Sequence, residues 1–252
     1  MEKKLFKKSF LLRSLKSVPY DDLWDTKGVF TTIRAIGKKP KFIFLNEHLK
    51  NLNKSLKILN IKFSLNSKNF KSIVLSSFEK NYNYNHLLRI AINKKTISIN
   101  LRKRLKQNYF FIAFFVEYKR KQPFIKNLYY KKLISFSKLI NTQSSEIILV
   151  DKKNILEGIT TNIICVKNKK LYIPKDNYYS GITLNFFKKY AERKIYKINI
   201  KQDKLQVFDE ILLVGSGKGI VAVKNIPQIK WINKSQVIYK ELQELYNKFT
   251  ER

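Results

Sequence analysis

A lysine, a glutamate and two glycine-flanked turns are the residues of this sequence whose types and spacing can do chemistry. Lys126 lies in Phe124-Ile-Lys126-Asn-Leu-Tyr-Tyr130, among apolar neighbours. Such surroundings desolvate an amine and lower its pKa, and an uncharged amine can attack a carbonyl and afterwards carry protons. In a chain this rich in lysine, an exposed cation is the plain alternative. Thirty-one positions later Glu157 opens Glu157-Gly-Ile-Thr-Thr-Asn162, where a turn-capping carboxylate is the plain alternative. Ser180-Gly-Ile-Thr183 opens a helix, so the N–H groups of Ile182 and Thr183 and the Thr183 hydroxyl make an anion site. Ser216 and Gly217 lie in a turn with Gly215, Gly217 and Gly219 after a buried-type strand and add a hydroxyl and an N–H.

The elements that must position these groups are mixed α and β. Strands are expected at 29–36, 41–44, 87–92, 96–100 and 109–118 from their β-branched and aromatic content. Leucines at 49, 52, 56 and 59 give a helix over 47–59 with Asn46 as N-cap, and a second helix runs over 69–79. The polar stretch Lys119-Arg-Lys-Gln-Pro123 is the best boundary, dividing the chain into 1–120 and 121–252. Beyond it a helix is expected near 128–140, with Lys126 at its start. Strands follow at 146–150, 162–166 and 170–173, then a helix over 184–194, strands at 211–214 and 220–223, and a last helix from Ser235.

Taken in order, these segments resemble the class IV aminotransferases, the fold-type IV pyridoxal-phosphate enzymes. The first half agrees: Gly28-Val-Phe-Thr-Thr-Ile-Arg34 resembles the family's Gly-x-Phe-x-Thr-x-Arg strand, and Glu47-His48-Leu-Lys-Asn51-Leu52 its His-Leu-x-Arg-Leu segment. The likeness runs from about Gly28 to Val223. It implies an α+β fold of two domains like D-amino-acid aminotransferase, with a smaller N-terminal α/β domain and a larger C-terminal pseudo-barrel that binds the cofactor. It implies that Lys126 holds pyridoxal 5'-phosphate as a Schiff base. Glu157 then serves the pyridine nitrogen, Tyr130 and Asn162 line the cofactor, and Ile182, Thr183, Ser216 and Gly217 take the phosphate. Asn51 stands where the family has a phosphate-binding arginine, a contact worth about 1.5–3 kcal/mol. Lys54, one turn on along the same helical face, is the expected substitute. Leu184 stands where an arginine is usual.

Within the family, the short chain, the Phe30-Thr-Thr32 strand and the Gly215-Ser-Gly-Lys-Gly-Ile turn are similar to aminodeoxychorismate lyases. That resemblance implies conversion of 4-amino-4-deoxychorismate to p-aminobenzoate and pyruvate, a step toward folate. Lys126 would move the proton, and Thr31 or Thr32 would assist the departing enol. Arg89, then Arg34 and Lys218, would hold the carboxylates of a small anionic amino substrate. A branched-chain or D-amino-acid transaminase is the first rival.

Composition bounds the rest. The chain has 252 residues, 44% hydrophobic, enough for a substantial core. One cysteine and two histidines point away from disulfides and structural zinc and toward a reducing cytoplasm, with no metal expected. The basic N-terminal segment Met1–Lys16 lacks the features of a signal peptide, and no apolar run is long enough to span a bilayer. Lys and Arg number 52 against 18 Asp and Glu, a formal charge of +34. The cations are spread along the whole chain without a zinc-finger or RNA-binding motif, so no specific nucleic acid is expected. A cofactor-free basic nucleic-acid-binding relative is the second rival. The charge favours anionic substrates by steering, and the family resemblance implies a homodimer.

Overall fold

In the computed structural model, residues 4–79 and 82–250 are described; Met1–Lys3 of the basic N-terminal segment lie outside them. The chain forms two compact units. The first holds the described residues up to Arg104 together with Ile125–Lys131, and the second holds Leu105–Phe124 and Lys132 onward. The chain thus passes between units three times, where a single division after residue 120 was expected. Lys126 groups with the first unit, and Glu157, Asn162 and Thr183 group with the second.

The first unit is a six-stranded sheet covered by helices. Its elements are β1 (Lys4–Leu11), β2 (Ser17–Val18), β3 (Gly28–Gly37), β4 (Lys41–Phe42), α1 (Leu45–Ile58), α2 (Ser67–Val74), β5 (Tyr84–Asn93) and β6 (Thr96–Lys103). The order across the sheet is β2-β1-β6-β5-β3-β4, so β3 and β5 are interior strands. Their side chains alternate between faces. Val29 and Ile33 of β3 pack in one core with Leu49, Leu52, Leu56 and Leu59, the stripe that the three-to-four spacing predicts. Phe30 points the other way, into a smaller cluster with Leu23, Ala91 and Leu128.

The N-cap expectation fails at α1. Phe44, in the left-handed region at φ 54°, is the cap residue and no side chain caps the helix; Asn46 lies inside it. The polar cap is found at α2, where Asn66 accepts the N–H of Asn69 at 2.8 Å. The helix expected near 128–140 is only α3 (Lys131–Ser137), and Lys126 does not start it. Residues 125–130 run beside β3 instead: Asn127 bridges Val29, Phe30 donates to the Lys126 carbonyl at 2.9 Å, and Leu128 donates to the Gly28 carbonyl at 3.0 Å. Backbone pairing with β3 satisfies these groups without a helix.

The second unit is built on a nine-stranded sheet. Its strands are β7 (Phe110–Glu117), β8 (Ser145–Asp151), β9 (Asn154–Gly158), β10 (Asn162–Lys167), β11 (Lys170–Pro174), β12 (Ile195–Ile198), β13 (Glu210–Gly215), β14 (Gly219–Ile226) and β15 (Trp231–Ile232). The order is β12-β11-β10-β13-β14-β7-β8-β9, with β15 on β14. Helices α4 (Ile182–Tyr190) and α5 (Val237–Thr250) accompany it; α4 begins two residues before the expected 184. Buried Glu210 caps α5, its carboxylate accepting the N–H groups of Ile238 and Tyr239 at 3.0 and 2.8 Å. Cys165, the lone cysteine, is buried on β10, and burial pushes its thiol pKa up. Among the described residues, no helix is long and apolar enough to cross a membrane. Nor does any group of three His, Cys, Asp or Glu among them suit a metal.

Candidate active site

The first unit holds Lys126, Arg89, Arg34 and Lys54. Lys126 is half-buried, with Nζ 5.1 Å from the centre of the Phe30 ring. Phe30 also meets Trp24 and Tyr130 edge-on, at 5.1 Å each, so Tyr130 reaches the cluster that Lys126 overlies. Thr31 and Thr32 point to opposite faces. The Thr31 hydroxyl lies 2.7 Å from His48 Nδ1, on the α1 side. Burial, reinforced by the charge of Lys126, lowers the His48 pKa to about 3, so its ring is neutral in ordinary buffers. Sequence reading used His48 only as a motif letter; its place opposite Thr31 required the fold.

Thr32 pairs with Arg89 across β3 and β5, which puts both on the Phe30 face. Arg89 is no surface charge. Its guanidinium stacks 3.6 Å from the Trp24 ring, donates from Nη2 to the Asp22 carbonyl at 2.8 Å, and lies 3.5 Å from the Asp22 carboxylate. Its Nε and Nη1 are buried without a hydrogen-bond acceptor, and burial lowers its pKa to about 10. Arg34, two residues beyond Thr32 on the same face, is half-buried and its Nε likewise lacks an acceptor. Lys54 is exposed on α1, one turn beyond half-buried Asn51.

The second unit gathers the carboxylates and the turns. Glu157 is on β9, a strand the sequence did not reveal, and not in a turn. Its Oε1 accepts Arg120 Nε at 2.7 Å and its Oε2 accepts the N–H of Tyr179 at 3.2 Å. Arg120 also donates to the Pro123 carbonyl at 2.8 Å. Arg120 sits in the stretch read as a boundary, and nothing in its local sequence separates it from the other cations. Asn162 ties the neighbouring segments together: its amide donates to the Tyr179 carbonyl at 2.6 Å and its Oδ1 accepts the N–H of Gly181 at 3.0 Å. A Cβ at Gly181 would lie 2.6 Å from that oxygen, so the contact needs glycine.

Gly181 is the N-cap of α4, with no side chain capping it. The N–H groups of Ile182 and Thr183 precede the first intrahelical bond. The Thr183 hydroxyl is buried at this end without a partner. Ser216 and Gly217 form the turn between β13 and β14 beside the 159–161 turn, where a Cβ on Gly215 would lie 3.0 Å from the Thr160 carbonyl. Gly219 closes it at φ +75°. Lys218 turns inward, donating to the carbonyls of Thr142 and Ser145 at 3.0 and 3.4 Å and lying 3.7 Å from Glu146.

The start of α4, with free N–H groups and the unsatisfied Thr183 hydroxyl, has the chemistry that a phosphate takes, and the residues present therefore suit a phosphorylated cofactor. The family profile of amino-transferase class IV matches residues 28–226. No curated protein matches the chain by sequence. Solved structures of similar fold include a branched-chain aminotransferase from Thermoproteus uzoniensis with norvaline, at 19% identity and TM-score 0.79, covering 96% of this chain and 93% of that one. A Legionella pneumophila protein named provisionally as a 4-amino-4-deoxychorismate lyase matches at 18% identity and TM-score 0.74, covering 88% and 90%. A hypothetical aminotransferase from Mycobacterium tuberculosis, in its PLP-bound form, matches at 13% and 0.76, covering 97% and 99%. The profile match extends over most of the sequence and the folds agree along nearly their whole length, so the chain belongs to the class IV aminotransferases, an enzyme family, and has their two-domain α+β fold of type IV.

Proposed function

We propose that the protein is a pyridoxal-phosphate enzyme acting on a small anionic amine, and specifically a 4-amino-4-deoxychorismate lyase. The observation that carries this reading is Arg89: two buried N–H groups without acceptors, on the face shared by Phe30 and Thr32, where the Lys126 amine lies over the same Phe30 ring. A substrate carboxylate would satisfy them by a charge-assisted contact. The cofactor, when bound, supplies an aldehyde for the substrate amine and an electron-withdrawing ring that stabilises charge at the adjacent carbon. Lys126 would hold it, Glu157 would keep its ring nitrogen protonated, and Ile182, Thr183, Ser216 and Gly217 would bind its phosphate. Lys54, exposed on α1, would add a charge for the same phosphate.

The products p-aminobenzoate and pyruvate together contain all the atoms of the substrate, so the reaction needs no oxidant or second substrate: the C–H bond at the amino-bearing carbon and the ring C–O bond to the enolpyruvyl group break, the ring becomes aromatic, and the departing enol takes up a proton. Lys126 takes the proton from the amino-bearing carbon. Thr32, rather than His48-bound Thr31, stands on the Arg89 face to help protonate the departing enol. The same reading makes the protein a cytoplasmic homodimer.

The test supplies 4-amino-4-deoxychorismate to cofactor-loaded protein. Release of p-aminobenzoate and pyruvate in equal amounts is expected, abolished in Lys126→Ala, with KM raised about 100-fold in Arg89→Met as a charged hydrogen bond is lost. Amino transfer from leucine or D-alanine to a 2-oxo acid, without p-aminobenzoate, would replace the lyase by a transaminase. A protein that stays colourless with the cofactor and binds RNA would leave only a basic binding relative.

A further inference from the structure

Glu146 lies beneath two turns at once. It begins the apolar run of β8 and is 1% exposed. Its Oε2 accepts the hydroxyls of Thr160 and Thr161 at 2.8 and 3.1 Å and faces Lys218 Nζ at 3.7 Å, while Oε1 accepts the N–H of Ile147 at 3.1 Å. The Lys218 side chain is 8% exposed, and its ammonium lies 4.3 Å from the Phe111 ring as well as on two carbonyls. Such a pair is costly to bury and persists only where every donor and acceptor is placed.

Its position explains the expense. Thr160 and Thr161 precede Asn162, which holds Gly181 at the start of α4. Lys218 follows Ser216 and Gly217. The two turns touch where Gly215 meets the Thr160 carbonyl. One buried carboxylate therefore fastens both turns, through two hydroxyls on one and an ammonium on the other.

We infer that the buried Glu146–Lys218 pair is a brace that sets the geometry of the cofactor-phosphate cradle, so that Glu146 and Lys218 are positioning residues for cofactor binding. The inference rests on the proposed cofactor reading. It gives Lys218 a role under the turn, distinct from the substrate contact expected from sequence.

Pyridoxal phosphate is titrated into wild type, Glu146→Gln, Lys218→Met and the double variant. The readouts are Kd from the visible absorption band, the 31P resonance of the bound phosphate, and the Tm of the cofactor-free protein. Each single variant is expected to raise Kd about tenfold and move the 31P resonance, because one member of the pair is left buried alone. The double variant, which leaves neither charge unpaired, recovers part of the loss. Should Lys218→Met fail to fold, Glu146→Gln carries the same readouts, since it keeps the size of the side chain and an acceptor for the threonines. Single variants with a lowered Tm but wild-type Kd and 31P resonance would reduce the pair to ordinary stabilisation and overturn the inference alone. A wild type that forms no absorption band would overturn the cofactor reading and the inference with it.

Discussion

Glu157 and Arg89 are almost equally buried, 5% and 6% exposed, yet they are provided for differently. Each oxygen of Glu157 has a donor, Arg120 on one and the Tyr179 N–H on the other. Glu146 and Glu210 in the same unit are supplied in the same way. Arg89 in the first unit has one hydrogen bond, a stacking partner and the Asp22 carboxylate at 3.5 Å, with no hydrogen-bond acceptor on Nε or Nη1. A buried polar group without a partner costs about 1–3 kcal/mol, so a folded protein keeps few of them. The three acids of the second unit have protein donors on their carboxylates, whereas two nitrogens of the arginine in the first have no hydrogen-bond acceptor, which is what the proposed substrate carboxylate would supply.

The contrast can be broken by measuring stability. Arg120→Met should cost about 3–5 kcal/mol in urea unfolding, because it strands a buried carboxylate, and Arg89→Met should cost less than half as much. Equal losses would erase the distinction.

His48 sharpens the picture on the cationic side. Its unfolded ring takes a proton near pH 6.5, but the folded ring does so only near 3. The stability this contributes is complete above pH 6.5 and is lost as the pH falls toward 3. Between pH 7 and 5 wild type should lose about 2 kcal/mol more than His48→Gln, read from denaturation midpoints at the two pH values. Parallel curves would show that the ring titrates normally.

The smallest effect is expected at Thr183. Its hydroxyl is buried without a partner, so Thr183→Val should leave the cofactor-free Tm unchanged or slightly raised while weakening cofactor binding about fivefold, one hydrogen bond's worth. A fall in Tm with unaltered Kd would place the hydroxyl among the satisfied groups.

Much of this was legible in the sequence, and the failures have physical causes. The α1 stripe and the inward run of β3 follow from spacing, because burial of one face is what those periods record. The cofactor segments were readable as ordered motifs. Lys126 was misplaced at a helix start because its apolar neighbours fit either a helix or an extended segment, and the pairing with β3 that decides it comes from residues nearly a hundred positions away. β1 was missed because Lys7 and Lys8 break its alternation. β9 was missed because Asn, Glu and Gly surround its only two apolar residues, Ile155 and Leu156, and read as a turn. Arg120 looked like linker because its partner is distant in sequence. Glu146 left a readable trace, an acid directly ahead of the apolar run Ile147–Val150.

Cys165 sits on β10 with its thiol held protonated and out of reach of solvent. A thiol reagent meets it only when that strand leaves the sheet. The protein therefore carries its own reporter of opening: the rate of modification counts how often the second unit comes apart. A cysteine introduced on the surface would react alone while the fold stays closed.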